Sequence, residues 1–129
     1  MILVDTSVWI EVFRRHRPLD LEAVVPLSEV VTCPPIVQEV LQGMRDESSF
    51  RLAETAMTAM PVLDSAVPLE RWLQAAQLYA RARAAGVTVR SSVDCLIAAC
   101  ALQHGLELLH RDRDYSALAR IAPLRQRRV

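Results

Sequence analysis

The feature that most limits what this chain can become is a series of short apolar runs, each stopped sharply and followed by a helical stretch. The first is Ile2-Leu3-Val4, which shows no alternation. Such a run suits a strand buried on both faces, as in a parallel sheet covered by helices. It ends in Asp5, and Thr6 and Ser7 are placed to cap a helix through Val8-Trp9-Ile10-Glu11-Val12-Phe13. Asp5 therefore falls at the carboxyl end of a central strand, where open α/β sheets bind their ligands. Its alternative is a purely structural N-cap.

The pattern continues along the chain. Residues 19–27 suit a short helix, and Val30-Val31-Thr32-Cys33 a second buried strand stopped by Pro34-Pro35. Proline is favourable at a first helical position, so Pro35 opens a helix over residues 36–45. A further helix fits residues 48–60, with Ser48 or Ser49 as cap, and Val62-Leu63 can add a brief strand. Residues 68–85 form the longest expected helix, with Trp72, Leu73, Ala76 and Tyr79 near one face and Gly86 ending it. A helix over residues 91–104 closes at Gly105. A strand over 106–109 and a short helix over 114–121 precede an Arg-rich tail. Alternating strands and helices predict one α/β domain over residues 1–129, with a central, mainly parallel sheet flanked by helices.

Composition removes several functions. Hydrophobic residues make up 52% of the 129, too many for a disordered chain. No apolar run approaches the roughly 20 residues that span a bilayer, and no basic segment precedes a cleavable one, so a cytoplasmic protein without a membrane partner is expected. Cys33, Cys95 and Cys100 have no zinc-knuckle or C-x-x-C spacing, and are expected to be buried, reduced and structural. All fifteen basic residues are Arg. With no lysine, the chain cannot be a Walker P-loop enzyme, a Schiff-base enzyme or a receiver-type phosphotransfer protein. The Arg clusters, Arg81, Arg83 and Arg90 among them, read as solvated surface able to pair with phosphates.

Four acids stand out by position: Asp5, Glu39, Asp94 and Asp112. Singly, each has a plain explanation, because acids near helix N-termini interact well with the helix dipole. Ser91-x-x-Asp94 resembles a capping box. Glu39 on its own reads as an ordinary exposed acid beside the stripe Ile36, Val37, Val40, Leu41 and Met44. Asp94 resists this treatment. It is the only charge between Ser91 and Gln103, in a helix apolar nearly all round, and an unpaired buried carboxylate is costly. In Leu109-His110-Arg111-Asp112-Arg113-Asp114-Tyr115 a cap accounts for one acid, and two less well.

Val4-Asp5-Thr6-Ser7, the Glu39 helix with Gly43 four residues on, Ser92-Val93-Asp94-Cys95-Leu96-Ile97-Ala98-Ala99, and the 109–115 segment together resemble the successive motifs of the PIN-domain nucleases. The short length resembles the VapC toxins of type II toxin–antitoxin pairs. The resemblance implies a Mg²⁺- or Mn²⁺-dependent endoribonuclease with Asp5, Glu39, Asp94 and Asp112 as its acidic quartet and Asp114 as an accessory acid. By that analogy Asp5 and Asp94 hold the principal metal, Glu39 orients or deprotonates the attacking water, and Asp112, with Asp114, completes the first site or holds a second ion. The implied partners are a cognate VapB-type antitoxin and a second copy in a homodimer. The motifs do not select a substrate, and because sequence-specific RNA recognition mostly targets unpaired loop bases, a structured RNA such as a tRNA or rRNA loop is expected. His110 stands where the family usually carries Thr or Ser. Two other readings fit the same fold: an RNA-processing nuclease without an antitoxin, and a binding module whose acids only cap helices. Hard carboxylate oxygens suit Mg²⁺ or Mn²⁺, whereas zinc prefers Cys and His, of which the sequence shows no clustered set.

Overall fold

The computed structural model describes all residues from Met1 to Val129. Four parallel strands form one sheet in the order β2-β1-β3-β4: β1 Ile2–Val4, β2 Val30–Val31, β3 Glu107–His110 and β4 Gln126–Arg128. Leu3 and Val4 on β1, and Leu108 and Leu109 on β3, are completely buried. Successive strand residues point to opposite faces, so both faces of the sheet are covered, as uninterrupted apolar runs require. Six helices do the covering: α1 Thr6–Val12, α2 Pro34–Gln42, α3 Glu47–Thr58, α4 Leu69–Ala84, α5 Ser92–His104 and α6 Arg113–Leu118. None is long and apolar enough to cross a membrane.

Local chemistry explains most boundaries. Asp5, not Thr6 or Ser7, is the N-cap of α1, and Asp46 rather than Ser48 or Ser49 caps α3, its carboxylate accepting from the Ser49 N–H at 2.7 Å. A carboxylate reaches the free N–H groups of a first turn as well as a hydroxyl does, and adds charge against the helix dipole. Pro34 takes the first position of α2, one residue earlier than expected. Gly105 ends α5 at φ 62°, a left-handed conformation that glycine adopts without steric cost.

Three expectations are not met. Residues 19–27 form no helix but two 3-10 turns, Leu21–Ala23 and Leu27–Glu29, because Pro26 interrupts them. Residues 62–63 make only a single bridge, Val62 to Thr32. On α4 the buried side is Arg71, Ala75, Leu78 and Ala82, while Trp72, Leu73 and Tyr79 face solvent. Small alanines let α4 approach the equally small Ala98, Ala99 and Ala101 of α5 closely. The charge of Arg71 is met by Asp64, at 2.7 Å and 3.3 Å. The unanticipated β4 is polar throughout, pairing Gln126, Arg127 and Arg128 with Leu108, Leu109 and His110.

Candidate active site

β1 and β3 are adjacent and parallel, so the residues that follow them emerge at the same end of the sheet. The Asp5 N–H donates to the Leu109 carbonyl at 2.9 Å. Ser7 then joins the two turns, its hydroxyl donating to Asp5 Oδ2 at 2.5 Å and accepting the Arg111 N–H at 2.9 Å. Asp112, two residues past β3, caps α6 by accepting the Asp114 N–H at 2.9 Å. The capping roles of Asp5 and Asp112 are therefore real, and each leaves carboxylate oxygen facing the same space.

Asp94 enters that space from the first turn of α5. It makes no capping bond: Ser91 occupies the cap position without a side-chain hydrogen bond, and Asp94 turns instead to Tyr115. The Tyr115 hydroxyl donates to Asp5 Oδ1 at 2.6 Å and reaches Asp94 Oδ1 at 3.2 Å, one proton serving two carboxyl groups. Glu39 comes from the second turn of α2 and is held by the Thr6 hydroxyl, which donates to Oε1 at 2.9 Å. Asp94, Asp112 and Asp114 bring carboxylate oxygens within 4.8 Å of one another.

A single base answers these five acids. The Arg90 backbone N–H and Nε donate to the two oxygens of Asp114, at 3.0 and 3.2 Å, and its Nη2 donates to Asp112 Oδ1 at 3.1 Å. Neither Arg90 nor Tyr115 carries a local signal that marks it. Arg90 lies in a stretch of scattered arginines, and Tyr115 is an aromatic in an ordinary short helix.

The crowding registers in acidity. Burial, and then the charges of Asp112 and Asp5, push the Asp94 carboxyl up to about 8. Burial also raises Glu39, eased by the Thr6 hydrogen bond and reinforced by the charges of Asp5 and Asp112. Tyr115 is held well above its ordinary range by burial and by the same carboxylates, and so keeps the proton it donates. The charges of Asp5 and Asp112 act on both Asp94 and Glu39, and that of Asp114 acts on Asp94, so the five acids form one electrostatic unit.

His110 is not a member of that unit. It is completely buried, with Nδ1 accepting the Asp112 N–H at 3.1 Å and Nε2 placed 2.5 Å from Gln126 Oε1. An accepting Nδ1 requires the neutral tautomer with its proton on Nε2, so both ring nitrogens are committed. Its ring also packs on Tyr115, centroids 5.1 Å apart. His110 thus positions Asp112 and Tyr115 and is free for neither metal ligation nor proton transfer. His110→Ala is expected to lower unfolding free energy by about 2–4 kcal/mol, through a cavity and two orphaned polar groups. Urea denaturation measures this, and a loss under about 0.5 kcal/mol would contradict the assignment.

An α/β sheet with acids gathered beyond its strand ends defines a class of protein, and comparison gives the class its name. Residues 2–121 match the family described as the PIN domain. The chain is 40% identical over 135 residues to VapC ribonuclease Mb1587 of Mycobacterium bovis, covering 96% of each protein, and equally similar to ribonuclease VapC11 of Mycobacterium tuberculosis. The crystal structure of VapBC-5 from Mycobacterium tuberculosis, a member of the VapBC family of toxin–antitoxin systems, superposes with a TM-score of 0.72 at 25% identity, covering 99% of this chain and 98% of that one. The chain belongs to the PIN-domain family and, within it, to the VapC ribonucleases.

Proposed function

We propose that this protein is the toxin of a VapBC-type pair, a cytoplasmic single-domain endoribonuclease that hydrolyses phosphodiesters with Mg²⁺ or Mn²⁺. The observation that carries the reading is the convergence of Asp5, Glu39, Asp94, Asp112 and Asp114 around one space with Arg90 as their only basic hydrogen-bonding partner. The donor set fits the ion. It is carboxylate oxygen throughout, and a buried group held partly protonated by its neighbours is relieved by a cation.

Asp5, Asp94 and Asp112 would hold that cation. When bound, it supplies Lewis-acid stabilisation of charge building on the phosphoryl oxygens. Glu39, raised in pKa and aimed by Thr6, orients the attacking water and takes its proton. Tyr115 keeps Asp5 and Asp94 facing each other. Both oxygens of Asp114 are already engaged by Arg90, so Asp114 acts by holding Arg90, and Arg90 stands in for a second cation. One Mn²⁺ per chain is therefore expected by calorimetric titration, rising toward two in Arg90→Gln; two in the parent protein would refute this role.

Sequence-selective recognition of RNA mostly uses unpaired loop bases, which points to a structured RNA of the tRNA or rRNA class. A VapB-type antitoxin and a second toxin copy would cover the exposed apolar side chains, Ile10 on α1 and Leu69, Trp72 and Leu73 on α4. The deciding experiment incubates total cellular RNA with the protein and Mn²⁺ and maps the cut ends, with chelator and an Asp5→Asn variant as controls. Defined cuts with 5′-phosphates that vanish in both controls are expected. Cleavage that survives either control removes the reading.

A further inference from the structure

A second group of metal-binding side chains lies outside the acid cluster, and no sequence spacing announces it. Asp64, Cys100 and His104 bring one ligand atom each within 4.8 Å of one another, and buried Cys33 lines the same small pocket as Asp64 and Cys100. The four come from four places: the residue before α2, the loop before α4, and two successive turns of α5. We propose that Cys33, Asp64, Cys100 and His104 form a tetrahedral zinc site that pins α5 to the end of β2 and to the loop before α4.

The donors suit that ion. Two thiols, one imidazole and one carboxylate are zinc ligands, and Cys100 and His104 are four apart on one helix, so they share a face. Zinc–ligand bonds of 2.0–2.3 Å separate neighbouring donors by roughly 3.3–3.8 Å. His104 Nε2 and Asp64 Oδ1 are already 3.0 Å apart and Cys100 lies within 4.8 Å of both, so three donors need small movements and Cys33, outside that group, has to rotate its side chain inward to complete the shell. Arg71, itself 5% exposed, donates to both Asp64 oxygens and fixes the carboxylate from behind, as outer partners of metal ligands do. Asp64 holds φ at 51°, a left-handed backbone uncommon outside glycine, and its side chain is 8% exposed.

Charge balances as well. Without metal the pocket holds the Asp64–Arg71 ion pair and neutral thiols. Uptake of Zn²⁺ displaces two thiol protons, and two thiolates cancel the ion, so the net charge of a buried pocket is unchanged. Because uptake releases two thiol protons, it should strengthen as pH rises. The path in is past His104, whose side chain is one-third exposed. Along α5 its two ligands Cys100 and His104 lie roughly 9 and 15 Å from Asp94, at 1.5 Å per residue.

The test uses the full chain, stripped with chelator and titrated with Co²⁺ as a spectroscopic substitute under excess Mg²⁺. One equivalent should bind with tetrahedral ligand-field bands and thiolate-to-cobalt charge transfer, and Zn²⁺ should bleach both. Cys100→Ser should abolish the charge-transfer band and His104→Asn should weaken binding at least tenfold, while Asp94→Asn leaves the spectrum intact. Because His104 is partly exposed, its variant keeps the test readable if Cys100→Ser fails to fold. No charge-transfer band in the parent, or one indifferent to His104→Asn, would overturn the proposal. A spectrum lost only in Asp94→Asn would place the cobalt among the acids and overturn it equally.

Discussion

Asp94→Asn is expected to reduce RNA cleavage at least about a hundredfold while raising the melting temperature of the metal-free protein. A ligand to a Lewis-acidic ion contributes several kcal/mol of transition-state stabilisation, and each 1.36 kcal/mol is tenfold in rate. The stability gain has a separate cause. Asp94 is buried beside other carboxylates and titrates near 8, while the unfolded chain releases that proton near 3.9. Between those values the folded state binds the extra proton. Its contribution is complete below about pH 4 and is lost as pH rises through 8. The amide carries no charge at any of these pH values, so the variant should lose this part of the decline. Melting curves in chelator at pH 5, 7 and 8.5 measure it. A variant that melts below the parent at pH 8.5, or cleaves within a few-fold of it, would show that Asp94 is structural.

Metal should reverse the same penalty, and by more. With metal at a hundred times its dissociation constant, folding gains about 2.7 kcal/mol, or roughly 10 °C for a domain of this size. The gain is expected at pH 8 and above, where Asp94 gives up its proton easily. At pH 6 the proton competes about two units below the pKa, so apparent affinity falls about a hundredfold. The same metal concentration then contributes only about 0.4 kcal/mol. Scanning calorimetry with Mn²⁺ at the two pH values separates a carboxylate site from nonspecific ion effects, which would not follow the Asp94 titration. Equal shifts at both would rule out the site as described.

The two titrations bear on the order in which sequence information becomes useful. Asp94 could be singled out beforehand because a lone charge in Ser92–His104 is anomalous against one-dimensional expectations. Arg90 and Tyr115, which govern what the acids do, could not. The chain has fifteen arginines and no lysine, so no particular arginine is conspicuous. Tyr115 acquires its role from two carboxylates more than 20 and 100 residues away. His110 was visible as a departure from the family pattern. Its buried, doubly bonded state depends on Gln126, in a strand the sequence does not announce.

The sequence alone determined what depends on near neighbours and on hydrophobic burial. Ile2–Val4 had to be a doubly buried strand, α5 had to be a core helix, and Gly105 had to end it. These follow from local geometry and the cost of leaving apolar surface in water. Tertiary structure alone decided what depends on pairing across the chain. It made an edge strand of three polar residues through backbone hydrogen bonds to β3, and it turned Trp72 outward because alanines allow a closer approach of α4 to α5. It also brought Asp64, Cys100 and His104 together, with Cys33 lining the same pocket, from positions with no common spacing. Hydrogen bonds and charges act over a few ångströms of space, whatever the distance along the chain.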